Sequence, residues 1–238
     1  MVWLRRKKKT NDPMKAAWTS GLPAEVQFWE DFIRTRGLDW PHDFRDRLNP
    51  DLPFPPHLRA RLVPEPPPGS VIRVLDVGSG PLTTLGTRWE GRTVELVPID
   101  PLADRYNELL DQAGITPPNR TRHGEAERLT EYFPEGHFDL AHAVNSLDHS
   151  YNPLESIRQM LLVVKPGAYV QLEHAADEAE TQKYDGLHQW NFRIESGRLV
   201  IWRPGERLDV GAELGGLVSV VSINNAHPTW VSAGLRRA

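Results

Sequence analysis

The chain has 238 residues, 25% charged and 39% hydrophobic, which suits one well-buried α/β domain with an extension and is too short for two ordinary domains. A formal net charge of -4 argues against a general nucleic-acid binder, and the absence of cysteine excludes disulfides, thiolate nucleophiles and cysteine metal sites. No apolar run approaches the roughly 18 residues of a membrane span, so neither membrane nor nucleic acid is an expected partner, and the composition fits a reducing cytoplasm.

The first ten residues carry Arg5, Arg6 and three lysines with no apolar stretch behind them. Residues 1–13 therefore read as a basic, disordered tail rather than a secretory signal. Pro23 to Arg36 reads as a helix, with Val26, Phe28, Trp29, Phe32 and Ile33 near helical spacing and Gly37 as its stop. Its aromatics, with Trp40 and Phe44, form either the core of a helical layer or a lid over a ligand cleft. Between Pro50 and Pro68 fall eight of the chain's 21 prolines, a run that excludes a sheet ladder or a long helix. Residues 14–68 thus divide into a helical cap and a proline-rich connector, with one helical turn near His57 to Leu62.

The chain then alternates. Val71–Val77 is an apolar strand running into Gly78-Ser79-Gly80, and Leu82–Trp89 is a short helix or turn. Thr93–Ile99 is a strand ending at Asp100, and Leu102 to Ala113 a helix closed by Gly114. A weak strand near Arg120–His123 leads to Gly124-Glu125-Ala126 and a short helix toward Phe133. Phe138 to Val144 is a strand, Pro153 to Val164 a helix stopped by Lys165-Pro166-Gly167, and Ala168 to Leu172 the next strand. This alternation predicts an α/β fold, a Rossmann-like doubly wound, mostly parallel sheet with right-handed crossovers over residues 69–238. Phe192–Glu195 and Arg198–Trp202 around Ser196-Gly197 predict a hairpin insertion near 190–203. Leu217 to Ile223 and Trp230 to Leu235 predict an antiparallel C-terminal pair, joined through residues 224–228.

Polar residues at successive strand ends carry the chemistry. Asp100 lies 24 positions after Asp76, where a doubly wound fold presents an acid to a ribose diol. Glu125 follows the third strand and Asn145 the fourth, all along the ligand-binding edge of the sheet. A nicotinamide dinucleotide fits poorly. The fingerprint's sixth position is Thr83 rather than glycine or alanine, and Pro81 removes a backbone N–H that would meet a pyrophosphate.

Val74-Leu75-Asp76-Val77-Gly78-Ser79-Gly80-Pro81 resembles the first motif of class I S-adenosylmethionine-dependent methyltransferases. Pro98-Ile99-Asp100-Pro101-Leu102, Gly124-Glu125-Ala126-Glu127, Phe138-Asp139-Leu140, Leu147-Asp148-His149 and Val163-Val164-Lys165-Pro166-Gly167 follow in the family's order. The resemblance covers roughly Val71 to His174. It departs from the usual pattern at Leu82, which stands where a third glycine is common. It implies S-adenosylmethionine as cofactor. Asp76, Gly78, Ser79 and Gly80 would line the methionine moiety, Asp100 would take the ribose hydroxyls and Leu102 would pack on adenine. Glu125 and Ala126 would meet the adenine edge, although Glu125 also suits a helix N-terminus. The backbone near Asn145 would hold the amino group.

Methyl transfer to a hydroxyl needs a base, and histidine suits neutral pH. His149 beside Asp148, His174 beside Glu173, and His188 are the candidate catalytic residues, while His142, inside a strand, reads as a core histidine. Asp148, His149, Glu173 and His174 form no clustered ligand motif, so no metal is expected. The expected activity is O-methylation of a small molecule, a saccharide or natural-product hydroxyl, with Trp190 and Trp202 stacking on its ring. The alternatives are N-methylation of an amine or peptide and a catalytically silent cofactor-binding subunit. Oligomeric state is not readable from the sequence.

Overall fold

A computed structural model describes residues 13–224 and 229–238. The basic run at the start and the link 225–228 lie outside the described residues. The first helix, α1, is Pro13–Thr35, ten residues longer at its start than the sequence suggests. Pro23 lies inside it, because helical periodicity continues on both sides of a single missing N–H donor. Two short helices follow, α2 (Pro41–Arg47) and α3 (Pro56–Arg59), each with proline in its first turn, where no N–H partner is needed.

Strand β1 (Val71–Val77) leads to the two-residue β2 (Arg88–Trp89) and to β3 (Arg92–Asp100). Residues 82–87 are bends and irregular chain, so of the two alternatives, short helix or turn, the structure has no helix there. Helix α4 (Ala103–Gln112) precedes β4 (Arg122–His123) and α5 (Leu129–Tyr132). Strand β5 (Phe138–Val144) and helix α6 (Pro153–Val163) run directly into β6 (Val164–Ala175), so Lys165-Pro166-Gly167 belongs to the strand. Helix α7 (Glu178–Thr181) leads to β7 (Asn191–Glu195), β8 (Arg198–Arg203) and β9 (Glu206–Asp209). The predicted hairpin is thus the edge and central strands of a three-stranded antiparallel sheet, with β9 as the other edge. Helix α8 (Val210–Leu214), β10 (Val218–Asn224) and β11 (Trp230–Arg237) complete the chain.

The main sheet runs β10-β11-β6-β5-β1-β3-β2, with β4 also paired to β3. Strand β1 is parallel to β3 and β5, and β5 to β6, as the apolar runs of strands covered on both faces predict. Strand β11 pairs antiparallel with β10, as expected from the sequence, and on its other side antiparallel with β6. The carboxyl ends of β1, β3, β5 and β6 therefore share one edge, the edge where open α/β sheets bind ligands.

Three apolar clusters fix the layers. The largest joins α6 to β5, β6 and β11 and, through Phe192, Leu199, Ile201 and Val210, to the antiparallel sheet. A second packs the connector's Phe54, Leu58 and Leu62 on Ile72, Val74 and Leu96. A third packs α1 and α2, through Phe32, Ile33 and Phe44, on Leu82, Leu109 and Leu110. Each buried Leu or Phe contributes about 1.5–3 kcal/mol, so α1 is anchored at its C-terminal half rather than frayed from the domain. No helix among the described residues is long and apolar enough to cross a membrane.

Candidate functional site

The turn after β1 is built by hydrogen bonds to the neighbouring strand. The N–H groups of Gly78 and Ser79 both donate to the Ile99 carbonyl, at 2.9 and 3.0 Å. Gly80 has φ of 63°, and a Cβ there would lie 2.7 Å from Trp29 Cζ2, so glycine is required both by the turn and by the close approach of α1. Asp100 spans the gap between turn and helix: Oδ2 accepts from Gly80 N at 3.2 Å and Oδ1 from Leu102 N at 2.9 Å. Burial in the cleft raises its pKa to about 7 despite those two donors, with the nearby carboxylates Glu25 and Asp76 adding to the rise.

A cleft opens along this edge, where open α/β sheets bind ligands. Gly78, Gly80, Asp100, Leu102, Glu125, Ala126, Asn145 and His149 all line it. Trp18, Leu22, Glu25 and Trp29 of α1 form its other wall, so the helix is both core and lid. Two contacts hold the lid down on Glu125 and Tyr151, which are themselves hydrogen-bonded. Lys15 Nζ meets Glu125 Oε2 at 2.9 Å, Trp18 lies edge-on to Tyr151 at 5.6 Å between centroids, and Tyr151 donates to Glu125 at 2.8 Å. Burial pushes the Glu125 pKa up, but Lys15, Tyr151 and Arg128 more than reverse it, leaving the carboxyl below its ordinary value. Lower on α1, a Cβ on Gly21 would sit 2.6 Å from Leu187 Cδ2, so the helix packs closely on the loop that carries His188.

A second lobe shares Glu25, Trp29, Gly78, Asn145 and His149 with the first and adds Phe28, Trp40, Asp43, Arg47, Glu178 and His188. Asp76 and Ser79 line this lobe rather than the first. Asp76 is already engaged, accepting from Thr83 Oγ1 at 2.5 Å and facing His142 Nδ1 at 2.9 Å. Ser79 Oγ lies 3.2 Å from Thr121 Oγ1, which bonds the Gly80 carbonyl at 2.7 Å. Asn145, at φ of 41°, ends β5, and its Oδ1 accepts from Ala175 N at 2.7 Å, clamping β5 to β6 beneath the ligand edge.

Of the three candidate histidines, two come together and one does not. His149 Nε2 and His188 Nδ1 are 3.1 Å apart, and His188 Nδ1 is 2.9 Å from Asp148 Oδ2. The loop is brought there by the Asp148 carbonyl, which accepts from Gln189 N and Trp190 N at 3.1 and 3.3 Å. His174 points to the opposite face of β6, fully buried and stacked on Phe192 at 4.2 Å between centroids. Burial lowers its pKa to about 4, and neither ring nitrogen has a partner in the structure, so it is outside the cleft. The alternation of a strand explains the split: Glu173 faces His142, and the next residue must face the other way. Trp190 and Trp202 also lie outside both lobes, covered by Arg203 and Arg193 at 4.2 and 4.3 Å; the lobe's aromatics are Phe28, Trp29, Phe32 and Trp40.

His142 is the core histidine expected, but a charged one. Burial pulls its pKa down, and hydrogen bonds to Asp76 and Glu173 raise it further, to about 9. Residues of the site that sequence reasoning did not single out are Lys15, Trp18, Leu22, Glu25, Ser146 and Tyr151. The helical spacing of Trp18, Leu22, Glu25 and Trp29 was the available signal for the lid residues.

The residues present suit an adenosyl ligand with a charged tail. The buried carboxylate of Asp100, each oxygen of which accepts one hydrogen bond and can accept another, sits beside an apolar floor at Leu102 and Ala126. The profile of the methyltransferase domain family matches residues 44–209. A similar solved structure is the CurJ carbon methyltransferase, 17% identical, with a TM-score of 0.51 over 73% of this chain and 50% of that one. Another is a SAM-dependent methyltransferase from Thermotoga maritima, described as a possible histamine N-methyltransferase, 17% identical, with a TM-score of 0.50 over 89% of this chain and 99% of that one. This chain thus spans half the length of the CurJ structure it matches. With a family match across more than half its residues and the sheet order and ligand edge described above, the chain belongs to the class I S-adenosylmethionine-dependent methyltransferases.

Proposed function

We propose that the protein methylates the hydroxyl oxygen of a small molecule, a saccharide or natural-product alcohol, bound in the second lobe. The observation that carries the reading is the meeting of His149, His188 and Asp148 at the wall where the two lobes join. S-adenosylmethionine supplies an electrophilic methyl group carried on a sulfonium. Gly78, Gly80 and Asn145 would border its methionine portion, Asp100 would accept from the ribose hydroxyls, and Leu102, Ala126 and Glu125 would surround the adenine.

The chain's own tasks are to align the acceptor oxygen, exclude water and dispose of the hydroxyl proton. Trp29, Phe28 and Phe32 make the lobe's apolar wall. The imidazole pair receives the proton released as the oxygen forms its new bond to carbon, and Asp148 offsets the charge that results. Burial alone would raise the Asp148 pKa, but His149 and His188 hold it below its ordinary value, so it stays an anion for that purpose.

Incubation with S-adenosylmethionine and a panel of alcohols, phenols and amines tests this by mass spectrometry. Methyl ethers are the expected products. His149→Ala and His188→Gln should each lower turnover about 100- to 10,000-fold, with His188→Gln leaving cofactor affinity unchanged. Full turnover in both variants would remove the histidine pair from the account. Glu25, Asp43 and Glu178 in the same lobe favour a second reading, a cationic amine acceptor whose charge they would balance. Under that reading the products are N-methyl amines and the histidine variants lose little.

A further inference from the structure

We infer that Asp148, His149 and His188 form a binding site for a divalent transition-metal cation, which holds and polarises the acceptor's oxygen. The inference rests on the proposed O-methylation only for the cation's purpose, not for its binding. Asp148 Oδ2, His149 Nε2 and His188 Nδ1 stand at the corners of a triangle with edges of 2.9, 3.1 and 3.4 Å. Metal bonds of about 2.0–2.2 Å at angles between octahedral and tetrahedral place ligand atoms roughly 2.8–3.6 Å apart, so one cation reaches all three.

Hydrogen bonding accounts for the triangle only by sharing one proton among three atoms. The carboxylate oxygen brings no proton. If His188 Nδ1 donates to Asp148, it has no lone pair left for His149 Nε2. If His149 Nε2 carries the proton, it and the His188 donor oppose each other. If it does not, its lone pair faces the Asp148 oxygen at 3.4 Å. In the second case a single N–H is shared between two acceptors, whereas a cation at the centre satisfies all three lone pairs at once.

The surroundings suit a ligand-accepting metal. The Asp148 side chain is 5% exposed, while those of His149 and His188 are 20% and 27% exposed, so the triangle is closed behind and open toward the lobe. His149 turns its other nitrogen, Nδ1, toward the Glu25 carboxylate, whose Oε2 is 3.8 Å away, beyond hydrogen-bond reach. Both segments are fixed by backbone bonds, because the Asp148 carbonyl holds the loop after His188. Two imidazoles and one carboxylate select zinc, iron or cobalt over magnesium and calcium, which prefer all-oxygen shells. Three protein ligands leave positions open for an acceptor. A hydroxyl bound there gives up its proton more readily, and the proton passes to water through the open side of the lobe. With the cation bound, the histidines serve as ligands in place of the proton-accepting role given above, and no group need be oxidised or reduced.

Chelator-treated protein titrated with Zn²⁺ by calorimetry and with Co²⁺ by visible absorption tests the site without reference to turnover. One equivalent should bind, and Co²⁺ should develop the ligand-field bands of an imidazole-bound ion. His149→Gln, His188→Gln and Asp148→Asn should each weaken Zn²⁺ at least about 10- to 100-fold. S-adenosylmethionine affinity in His188→Gln serves as the check that the variant is folded. Wild-type protein that binds no Zn²⁺ or Co²⁺, or binds them equally well in all three variants, overturns the site. If alcohols are then still methylated in chelator, the imidazole pair acts directly and the proposed function stands without the metal. If Zn²⁺ binds as expected while no alcohol is methylated, the site stands and the proposed acceptor falls.

Discussion

The two lobes of the cleft are made in different ways. The lobe proposed for the cofactor is assembled largely by backbone: the ends of β1, β3 and β5 deliver Gly78, Asp100 and Asn145 to one edge, and N–H groups on the Ile99 carbonyl and the Asp100 carboxylate hold the turn. The acceptor lobe is assembled by side chains from three distant segments: Glu25 in α1, His149 after β5, and His188 in the loop before β7. A backbone-built site tolerates changes in the side chains around it. A side-chain-built site is lost with any one of its parts, and can be rebuilt for another acceptor without disturbing the cofactor. The lid joins the two, because Trp29 and Glu25 line both lobes.

This contrast can be broken most forcefully at the residues that each lobe depends on. Asp100→Asn should lower S-adenosylmethionine affinity by roughly 10- to 100-fold, the worth of hydrogen bonds to a charged acceptor, as measured by calorimetry. With its pKa raised to about 7, wild-type Asp100 is increasingly protonated below that pH, and hydroxyl donors prefer the carboxylate. Cofactor affinity should therefore fall as pH drops through 7, and a flat profile would mean that Asp100 does not meet the ribose. The same raised value works against the fold: the unfolded group ionises near 3.8, so its burial lowers stability progressively as pH rises from about 4 to 7.

A smaller effect should come from beneath both lobes. The folded pKa of His142, about 9, exceeds its ordinary 6.5, so its contribution to stability is complete below about 6.5 and is lost as pH rises through 9. Glu173 works in the opposite direction: His142 and His57 overcome its burial and hold its pKa low, and that contribution is lost in acid. Melting temperature should decline by several degrees between pH 7 and 10, and His142→Gln should flatten the alkaline limb. An unchanged limb in that variant would assign the decline to other groups.

The smallest effect is expected at the lid. Lys15 is partly exposed, and its bond to Glu125 is screened by solvent, so Lys15→Ala should cost at most about 1 kcal/mol. Cofactor dissociation measured by stopped flow should then be up to about fivefold faster, with the histidine-dependent chemistry untouched. A slowed methyl-transfer step at saturating cofactor would show instead that the lid positions the acceptor.

The amino-acid sequence determined the parallel sheet, the glycine turn and the acids at the strand ends, because strand period, glycine conformation and strand-end spacing are local properties. It also specified the antiparallel pair β10 and β11 and the hairpin β7–β8. It did not specify the start of α1, since a proline at position 23 reads as a beginning although the helix passes through it. Nor could it sort the histidines. His149, His174 and His188 each sit beside an acid or in a polar loop, and only strand alternation and the docking of residues 185–190 on the Asp148 carbonyl bring two together and bury the third. The tertiary structure decided the acceptor lobe because its side chains lie up to 163 residues apart, from Glu25 to His188, and such contacts leave no local pattern in a chain.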